Sequence, residues 1–344
     1  MSAAALKAVL PCLSLTVWFC ILLSVTSAQK KPEDDATIRL FYYPNTKNAS
    51  ERIDVNLANA SSFQNEKLVK GKRAKIMVHG ANSFCESENF PMLSIQAYLT
   101  AKASGKEDYN VFCLEYRELA KVPAPLGVYS TFTEQFEYVV NTVGNKTARF
   151  IMALESNGVV PELSQVHLIG HSLGGQVVGT TGRIVQEMNN YQRKVGRITG
   201  LDVMNIFLVY KNVLKLRNLI DSSDATFVDI IHTNDGQIGL QGDYGKVDFY
   251  PDGGHHQTSC TQTGPIENLI EMTTGACSHI IVGRYWAGSI NNRTLTACKA
   301  DSYEDFTDSG CISDNNVTFG EYVSLSAFGK FYLDHPLIPA PSIF

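Results

Sequence analysis

The chain has 344 residues, of which 44% are hydrophobic and 18% charged, and its formal net charge at pH 7 is -5. This composition excludes a disordered or repetitive protein and supplies enough apolar residues for a folded core. The acidic balance, with no Lys/Arg run longer than two, excludes a basic surface for nucleic acid or another polyanion.

The first 28 residues have the features of a signal peptide. Lys7 precedes a mostly apolar run from Ala8 to Val25, and the small residues that follow end at Ala28. This pattern predicts cleavage after Ala28 and secretion of residues 29–344. An uncleaved membrane anchor is the alternative, but the run is short for a span and its flank is not basic. No later segment is long and apolar enough to predict a transmembrane anchor.

Six cysteines remain after the leader, an even number that suits an oxidised, extracellular protein. We predict nearest-neighbour disulfides that close three short loops: Cys85 with Cys113, Cys260 with Cys277, and Cys298 with Cys311. Zinc binding is the weaker alternative, because no CxxC pair or histidine at zinc-site spacing accompanies them. Five Asn-X-Ser/Thr sequons predict glycosylation in the secretory route: Asn48, Asn59, Asn145, Asn292 and Asn316.

Short apolar, β-branched or aromatic runs predict six strands. In chain order these are residues 37–43, 74–78, 110–115, 165–169, 197–201 and 226–231. Apolar residues at helical spacing predict amphipathic helices over 130–143 and 174–188. Strands separated in this way indicate an α/β fold with a mostly parallel central sheet flanked by helices. No linker divides residues 29–344, so we expect a single domain.

The segment Gly170-His-Ser-Leu-Gly174 directly follows an apolar strand and precedes a predicted helix. This context is typical of a nucleophile elbow, a tight turn on which side chains at 170 and 174 would collide with the neighbouring strand and helix. The helix that follows directs its N-terminus at the negative charge that forms on an ester substrate. The motif therefore predicts Ser172 as the nucleophile of a serine esterase. We expect the His171 side chain to point away from Ser172. His167 lies inside a strand, so we expect it to pack in the core.

A nucleophilic serine needs an imidazole base that is oriented by a carboxylate. Asp202 follows strand 197–201 and is therefore expected at the carboxyl edge of the sheet, beside Ser172. A helix cap or loop carboxylate is the alternative role for Asp202. The position of the base along the chain stays open, because the order of residues does not exclude His232, His255 or His256 as alternatives to His279.

The oxyanion of an acyl-transfer intermediate needs two backbone donors. Leu173, which follows the nucleophile, supplies the first. The second is expected in the loop after strand 74–78, where His79-Gly-Ala-Asn82 makes Ala81 the candidate. A backbone donor does not depend on the identity of its side chain.

Several further motifs occur in the order found in the animal pancreatic lipase family. They are Val78-His-Gly80, Gly170-His-Ser-Leu-Gly174, Arg197-Ile-Thr-Gly-Leu-Asp202, Ile231-His-Thr233, Asp248-Phe-Tyr-Pro251, Cys277-Ser-His279 and Gly329-Lys-Phe-Tyr-Leu333. The chain resembles this family from Ile38 to Leu333, and it is similar to the insect neutral lipases and venom phospholipases A1 of the family. The resemblance implies an α/β-hydrolase fold, a Ser172–Asp202–His279 triad, oxyanion donors at Ala81 and Leu173, and a lipid substrate at a membrane or lipid-droplet surface.

The resemblance also sets expectations for what lies beyond the catalytic domain. Since the chain ends soon after Leu333, we expect no C-terminal β-sandwich domain and no dependence on colipase. No cofactor is required by the chemistry. Asp221 and Asp224 match a structural calcium loop of the family, although Asp-Ser-Ser-Asp forms a turn as readily.

Three departures from the family pattern lie near the predicted site. Val203-Met204 follows the acid in place of the usual Pro-Ala, and Glu115-Tyr116 replaces Asp-Trp. Ala81 stands where the family has a large aromatic residue. We therefore expect the path near the acid and the shape of the acyl-binding wall to differ from the family pattern.

The loop between Cys260 and Cys277 carries three apolar residues on one predicted helical face: Ile266, Leu269 and Ile270. This pattern predicts a lid, and an ordinary surface helix tied by a disulfide is the alternative. The predicted lid resembles lids that are shorter than those of digestive triacylglycerol lipases, and the 236–247 loop is short as well. In the family both features accompany phospholipase A1 or mixed activity. The expected function is therefore a phospholipase A1 or triacylglycerol lipase; the alternative is an inactive lipid-binding or storage protein of the same family.

Overall fold

The computed structural model describes residues 37–44, 46, 48–57, 59–105, 107–121, 129–205, 219–260, 271–311 and 316–334. The predicted leader and the lid residues Ile266, Leu269 and Ile270 lie outside the described residues. Within these described ranges, no helix combines the length and the hydropathy that a bilayer span requires.

The described residues form one sheet of eleven strands. The strands are β1 (Arg39–Tyr42), β2 (Ile53–Val55), β3 (Arg73–Val78), β4 (Tyr109–Glu115), β5 (Val166–His171), β6 (Arg197–Leu201), β7 (Phe227–Ile231), β8 (Val247–Pro251), β9 (Thr296–Lys299), β10 (Asn316–Thr318) and β11 (Gly329–Leu333). Their spatial order is β10-β9-β11-β8-β7-β6-β5-β3-β4-β1-β2. Strands β3 to β8 and β11 pair in parallel, whereas β1, β2, β9 and β10 add antiparallel pairs at the edges. The predicted mostly parallel sheet is confirmed.

The six predicted strands all form within two residues of their predicted bounds. Strand β8 was missed because Asp248 interrupts its apolar run. All five of its residues are nevertheless buried, and the Asp248 carboxylate is satisfied by His232 at 2.9 Å. The strands β2, β9, β10 and β11 are short and lie in the outer parts of the sheet, where pairing with a neighbour, rather than their own pattern, decides the structure.

The α-helices are α1 (Leu93–Ala103), α2 (Tyr129–Ser156), α3 (Leu173–Met188), α4 (Ala276–Asn291) and α5 (Tyr303–Ser309). Short 3-10 turns cover Ala60–Gln64, Leu163–Gln165, Asp252–Gly254, Thr258–Cys260 and Gly320–Tyr322, and one π turn covers Glu88–Met92. Helix α2 continues beyond the predicted end at residue 143, because buried Phe150, Ile151 and Leu154 extend its apolar face.

Helices cover both faces of the sheet. Alternate residues of a strand point to opposite faces, and Val78 accordingly packs with Val177 of α3, whereas Met77 packs with Trp286 of α4 in a second core cluster. Helices α2 and α3 contribute to the first cluster, and α1 and α4 to the second. The carboxyl ends of the central strands therefore emerge between helices that are fixed on both sides.

Three disulfides staple loops to this core. They join Cys85 to Cys113, Cys260 to Cys277 and Cys298 to Cys311, which is the pairing predicted from the sequence. The first ties the loop after β3 to β4, and the second ties Cys260, where the predicted lid segment begins, to the start of α4. Both therefore restrain segments next to the carboxyl edge of the sheet.

A buried ion pair joins β6 to β7 at the opposite edge. Arg197 donates to both carboxylate oxygens of Asp229 at 2.8 Å and also to the carbonyl oxygens of Gly320 and Glu321. Asp229 has no exposed surface. The guanidinium thus compensates a buried charge and anchors the 3-10 turn Gly320–Tyr322 to the sheet.

We expect Arg197→Met to lower the free energy of unfolding by about 3–5 kcal/mol, because it leaves the Asp229 carboxylate buried without its charge partner. Urea unfolding followed by circular dichroism measures this. Arg39→Met is the matched control: its partner Asp54 is exposed, and such surface pairs contribute about 0–1 kcal/mol. Equal losses in the two variants would show that burial of the pair is unimportant.

Candidate active site

Ser172 lies on a strained turn between β5 and α3. Its backbone angles, φ 56° and ψ -122°, fall in a region that residues other than glycine rarely adopt. A Cβ on Gly170 would lie 2.2 Å from the carbonyl oxygen of Gly174, and a Cβ on Gly174 would lie 2.2 Å from that of Val78. Both positions therefore require glycine. The turn has the geometry of the nucleophile elbow predicted from the sequence.

Ser172 opens into a cavity of about 380 Å³ at the carboxyl edge of the sheet. The cavity is lined by Ala81, Asn82, Ser83, Ser87, Glu88, Asn89, Phe90, His171, Ser172, His279 and Ile280. Gly80 lies behind the serine, where an added Cβ would approach Ser172 Cβ to 2.8 Å. The proposed nucleophile and the proposed base thus share one cavity.

His279 lies in the first turn of α4 and contacts Asp202 directly. Its Nδ1 is 2.5 Å from Asp202 Oδ2, and the other carboxylate oxygen accepts the amides of Thr233 and Asn234 at 2.8 and 2.9 Å. Asp202 has no exposed surface. Since Nδ1 donates to the carboxylate, Nε2 remains as the acceptor that a general base needs.

The residues after Asp202 connect the acid to the elbow. The side chain of Val203 fills the space next to Gly175 and Gly200, where an added Cβ would meet it at 2.7 and 2.5 Å. The amide of Met204 donates to the carbonyl oxygen of Ser172 at 3.0 Å. The unusual Val203-Met204 pair therefore holds the acid loop firmly against the serine turn.

The amides of Ala81 and Leu173 have no acceptor in the part of the chain that the structure describes. Leu173 is the first residue of α3, where an N–H group has no partner inside the helix. Ala81 lines the cavity wall. Both amides are therefore available to a negatively charged oxygen.

The loop that carries Ala81 is fixed by Glu115 and Tyr116. The ring of His79 stacks on Tyr116 with centroids 4.1 Å apart, and the Tyr116 hydroxyl donates to the carbonyl oxygen of His79. Glu115 accepts the amides of Cys85 and Arg117 at 3.2 and 2.8 Å. Burial alone would raise the pKa of Glu115, but its bonds to His79 and to these amides prevail and lower the pKa to about 2.

The other histidines have different environments. His232 is buried, with Nε2 2.9 Å from Asp248 and Nδ1 3.2 Å from the Leu240 carbonyl oxygen. Burial alone would lower the pKa of His232, but the Asp248 carboxylate raises it. His255 is exposed and contacts Asp235. Both ring nitrogens of His232 are thus engaged outside the cavity.

One expectation about the histidines was wrong. His171 does not turn away from the site: its ring lines the cavity, and its Nε2 lies 3.0 Å from the carbonyl oxygen of His279. His167 is buried in β5 against Trp286, as expected, and its ring nitrogens also contact Lys75 at 2.9 Å and Thr199 at 2.8 Å. The direction of each side chain depends on the backbone of the surrounding turn or strand, which residue type alone does not give.

In the predicted calcium loop, the guanidinium of Arg183 forms an ion pair with Asp224. Arg183 Nη1 lies 2.8 and 2.9 Å from the two oxygens of buried Asp224 and 3.0 Å from the carbonyl oxygen of Leu219. Asp221 instead accepts the amide of Ser223 within its own turn. Among the described residues no group of three or more His, Cys, Asp or Glu side chains converges on a metal position. These side chains do not fit a calcium ion in this arrangement.

The five predicted glycosylation sites differ in exposure. Asn48, Asn59 and Asn145 are exposed, whereas Asn292 and Asn316 are half-buried. The side-chain oxygen of Asn292 accepts both the amide and the hydroxyl of Thr294. Glycosylation at all five stays a prediction.

We expect Glu115→Gln to lower the free energy of unfolding at pH 7 by about 1–3 kcal/mol, because the backbone amides that now bond to an ionised carboxylate would bond to a neutral side chain. The pKa of Glu115 is lower in the folded chain than its ordinary value of 4.5, so the contribution is present above that value and is lost as the pH falls toward 2. The stability difference from wild type should therefore narrow in acid.

Urea unfolding at several pH values between 7 and 3 tests this. Glu118→Gln is the control, since the ion pair of Glu118 with Lys121 is exposed. If the difference in free energy of unfolding between wild type and Glu115→Gln stayed constant with pH, Glu115 would not be an ionised carboxylate with a lowered pKa.

Comparison with known proteins places this site in a family context. The Lipase family model matches residues 19–325. Pancreatic triacylglycerol lipase of Myocastor coypus is 28% identical over 327 residues, which cover 88% of this chain and 66% of that protein. Pancreatic lipase-related protein 2 of Rattus norvegicus is 31% identical over 296 residues, 81% of this chain and 57% of that protein. Lipase member H of Rattus norvegicus is 35% identical over 176 residues, 50% of this chain and 35% of that protein. The chain thus spans less than two thirds of the length of these curated relatives.

Proposed function

The chain belongs to the Lipase family, and we propose that it is a secreted hydrolase that cleaves acyl esters of lipids through Ser172, His279 and Asp202. The observation that carries the proposal is the buried Asp202–His279 contact of 2.5 Å at the cavity that also holds the strained Ser172. The secretion part of the proposal is supported by the three disulfides.

In the proposed reaction, Ser172 Oγ attacks the ester carbonyl carbon while His279 Nε2 accepts the hydroxyl proton. Asp202 orients the ring and stabilises the resulting imidazolium. The tetrahedral oxyanion binds the amides of Ala81 and Leu173, each such donor contributing about 10²–10³-fold in rate. Collapse transfers the His279 proton to the leaving alcohol and forms the acyl-enzyme. A water molecule, deprotonated by His279, then hydrolyses this ester and restores Ser172.

A catalytically inactive lipid-binding or storage protein is the alternative function. Such a protein would need neither a serine held in a strained turn nor a carboxylate buried against an imidazole. A strained backbone conformation costs on the order of 1–3 kcal/mol, and strain of this kind clusters at functional sites. The retained serine, imidazole and carboxylate therefore support the hydrolase.

We expect Ser172→Ala to reduce the hydrolysis of a lipid ester by at least about 10³-fold, as for other enzymes that lose their nucleophile. A fluorescent alkyl phosphonate should label the wild type at Ser172, as read by mass spectrometry of the tryptic peptide. Ser164→Ala is the control, since the exposed Ser164 hydroxyl contacts Glu162 and does not line the cavity. Unchanged hydrolysis in Ser172→Ala, or a folded wild type that the phosphonate does not label, would refute the proposal.

For the substrate, we propose a phospholipid cleaved at its sn-1 ester, with triacylglycerol as an additional substrate. One side of the cavity is polar and comes from a single segment, with Asn82, Ser83, Ser87 and Asn89 beside Ser172. A headgroup can hydrogen-bond to these residues, whereas a third acyl chain cannot. The predicted lid lies outside the described residues, and independence of colipase stays a prediction.

Glu88 is the one formally charged residue among those described at the cavity. Its exposed carboxylate has no ion-pair or hydrogen-bond partner among the described residues. An unpaired anion beside the site disfavours a lipid with a net negative headgroup and tolerates a zwitterionic or uncharged one. The proposed substrate is therefore phosphatidylcholine or phosphatidylethanolamine rather than phosphatidylglycerol.

The lipid surface is the proposed place of reaction. Ile280, 43% accessible, lines the cavity wall, and Phe84, 36% accessible, follows the lining residue Ser83 in the chain. Exposed apolar residues of this kind support contact with a membrane or a lipid droplet. No nucleic-acid partner is proposed for this acidic chain.

We expect Glu88→Gln to raise the rate on phosphatidylglycerol relative to phosphatidylcholine by about 2–5-fold, since an exposed charge contributes about 0.2–1 kcal/mol. Hydrolysis of vesicles of each lipid, with analysis of the fatty acid released, measures the ratio. Glu86→Gln is the matched control, because Glu86 pairs with Arg52 and Arg117 and does not line the cavity. A ratio that Glu88→Gln leaves unchanged, or that both variants change equally, would reject this role.

A further inference from the structure

The ring of His171 connects the serine turn to the helix that carries the base. His171 is the last residue of β5 and directly precedes Ser172. Its Nε2 lies 3.0 Å from the main-chain carbonyl oxygen of His279, and the two imidazole rings are 4.8 Å apart with planes inclined by 37°. The edge of Phe90 closes the other side at 5.9 Å. A single side chain thus spans the gap between the nucleophile's strand and the start of α4.

The protonation state of His171 follows from its surroundings. Burial, and then the neighbouring charge of His279, lower the pKa of His171 to about 3, which outweighs the opposing effect of the bond to the His279 carbonyl. The ring is therefore neutral near pH 7. Because a carbonyl oxygen can only accept, the single ring proton lies on Nε2, and His171 donates it to His279.

The start of α4 is attached to several segments of the described chain, and the Ser278 hydroxyl accepts the amide of Gln257 at 2.9 Å. Glu271 accepts the amides of Cys277 and Ser278 at 2.8 and 3.0 Å, and Cys277 is joined to Cys260. These contacts come from the side of the predicted lid segment. The contact with Asp202 holds the imidazole ring of His279, whereas the bond from His171 ties the main chain of His279 to the strand that leads into Ser172.

We propose that His171 is a positioning residue, whose Nε2–H holds the main chain of His279 at the distance from the serine turn that lets the imidazole reach Ser172. The inference rests on the proposed function, since it concerns the same nucleophile and base. An error of about 1 Å in placing a reacting group can lower a rate by about 10²-fold. Loss of this bond should therefore act on the chemical step rather than on lipid binding.

Three substitutions separate the hydrogen bond from the ring. His171→Gln places an amide N–H near the position of Nε2, His171→Phe keeps a ring without a donor, and His171→Asn has a donor that is too short. We expect kcat to fall about tenfold or more in the Phe and Asn variants with KM within twofold of wild type. The Gln variant should recover most of the lost kcat.

The assay uses the full secreted protein and a soluble short-chain ester, with phosphonate labelling to count the reactive serine and thermal unfolding to confirm the fold. Equal activity in all variants, an equal loss in all three, or an effect confined to KM would overturn the proposal. If Phe at 171 prevents folding, the comparison of Asn with Gln decides. A folded wild type that neither hydrolyses the ester nor reacts with the phosphonate would instead refute the proposed function.

Discussion

The close approach of three backbone segments at Ser172 is the constraint on which the rest of the site depends. Gly170, Gly174 and Gly80 let strand β5, helix α3 and the loop after β3 meet without side chains between them. The strained serine is held from outside the turn. Its amide donates to the carbonyl oxygen of Leu201 at 3.0 Å, and its own carbonyl oxygen accepts the amide of Met204. Leu201 and Met204 flank Asp202, so the same bonds that hold the serine also place the acid.

The buried Asp202 carboxylate is the second constraint on the site, because it needs hydrogen-bond donors, and the surrounding loop supplies backbone amides. A buried charge is tolerated only when it is paired and hydrogen-bonded. Thr233, Asn234 and His279 together supply three donors. Gly239 lets the following loop close over the carboxylate, since an added Cβ would lie 2.5 Å from Asp202 Oδ1. Val203 differs from the residue that usually follows the acid in the family, but its side chain fills the space beside Gly175 and Gly200.

Much of this arrangement can be predicted from sequence, because it rests on local rules. The apolar strands, the glycines around Ser172 and the position of Asp202 after a strand all follow from short-range patterns. Contacts between distant segments cannot be obtained in that way. The direction of His171 depends on backbone angles at the elbow, and the ion pair of Arg183 with Asp224 depends on how α3 meets the loop before β7. Strand β8 buries the Asp248 carboxylate, which His232 and the amides of Tyr244 and Gly245 satisfy. The predicted disulfides succeeded because short loops restrict pairing strongly.

The two edges of the parallel sheet meet different physical demands. At the amino edge, buried Lys75 contacts Glu321 and His167, and burial lowers the pKa of both Lys75 and His167. These groups lie close together toward the amino ends of β3 and β5, at the edge of the sheet away from Ser172. At the carboxyl edge, polar groups are left facing a cavity with unused amides. A parallel sheet brings all its carboxyl ends to one edge, so the chain can satisfy its buried charges at one edge and leave reactive groups available at the other.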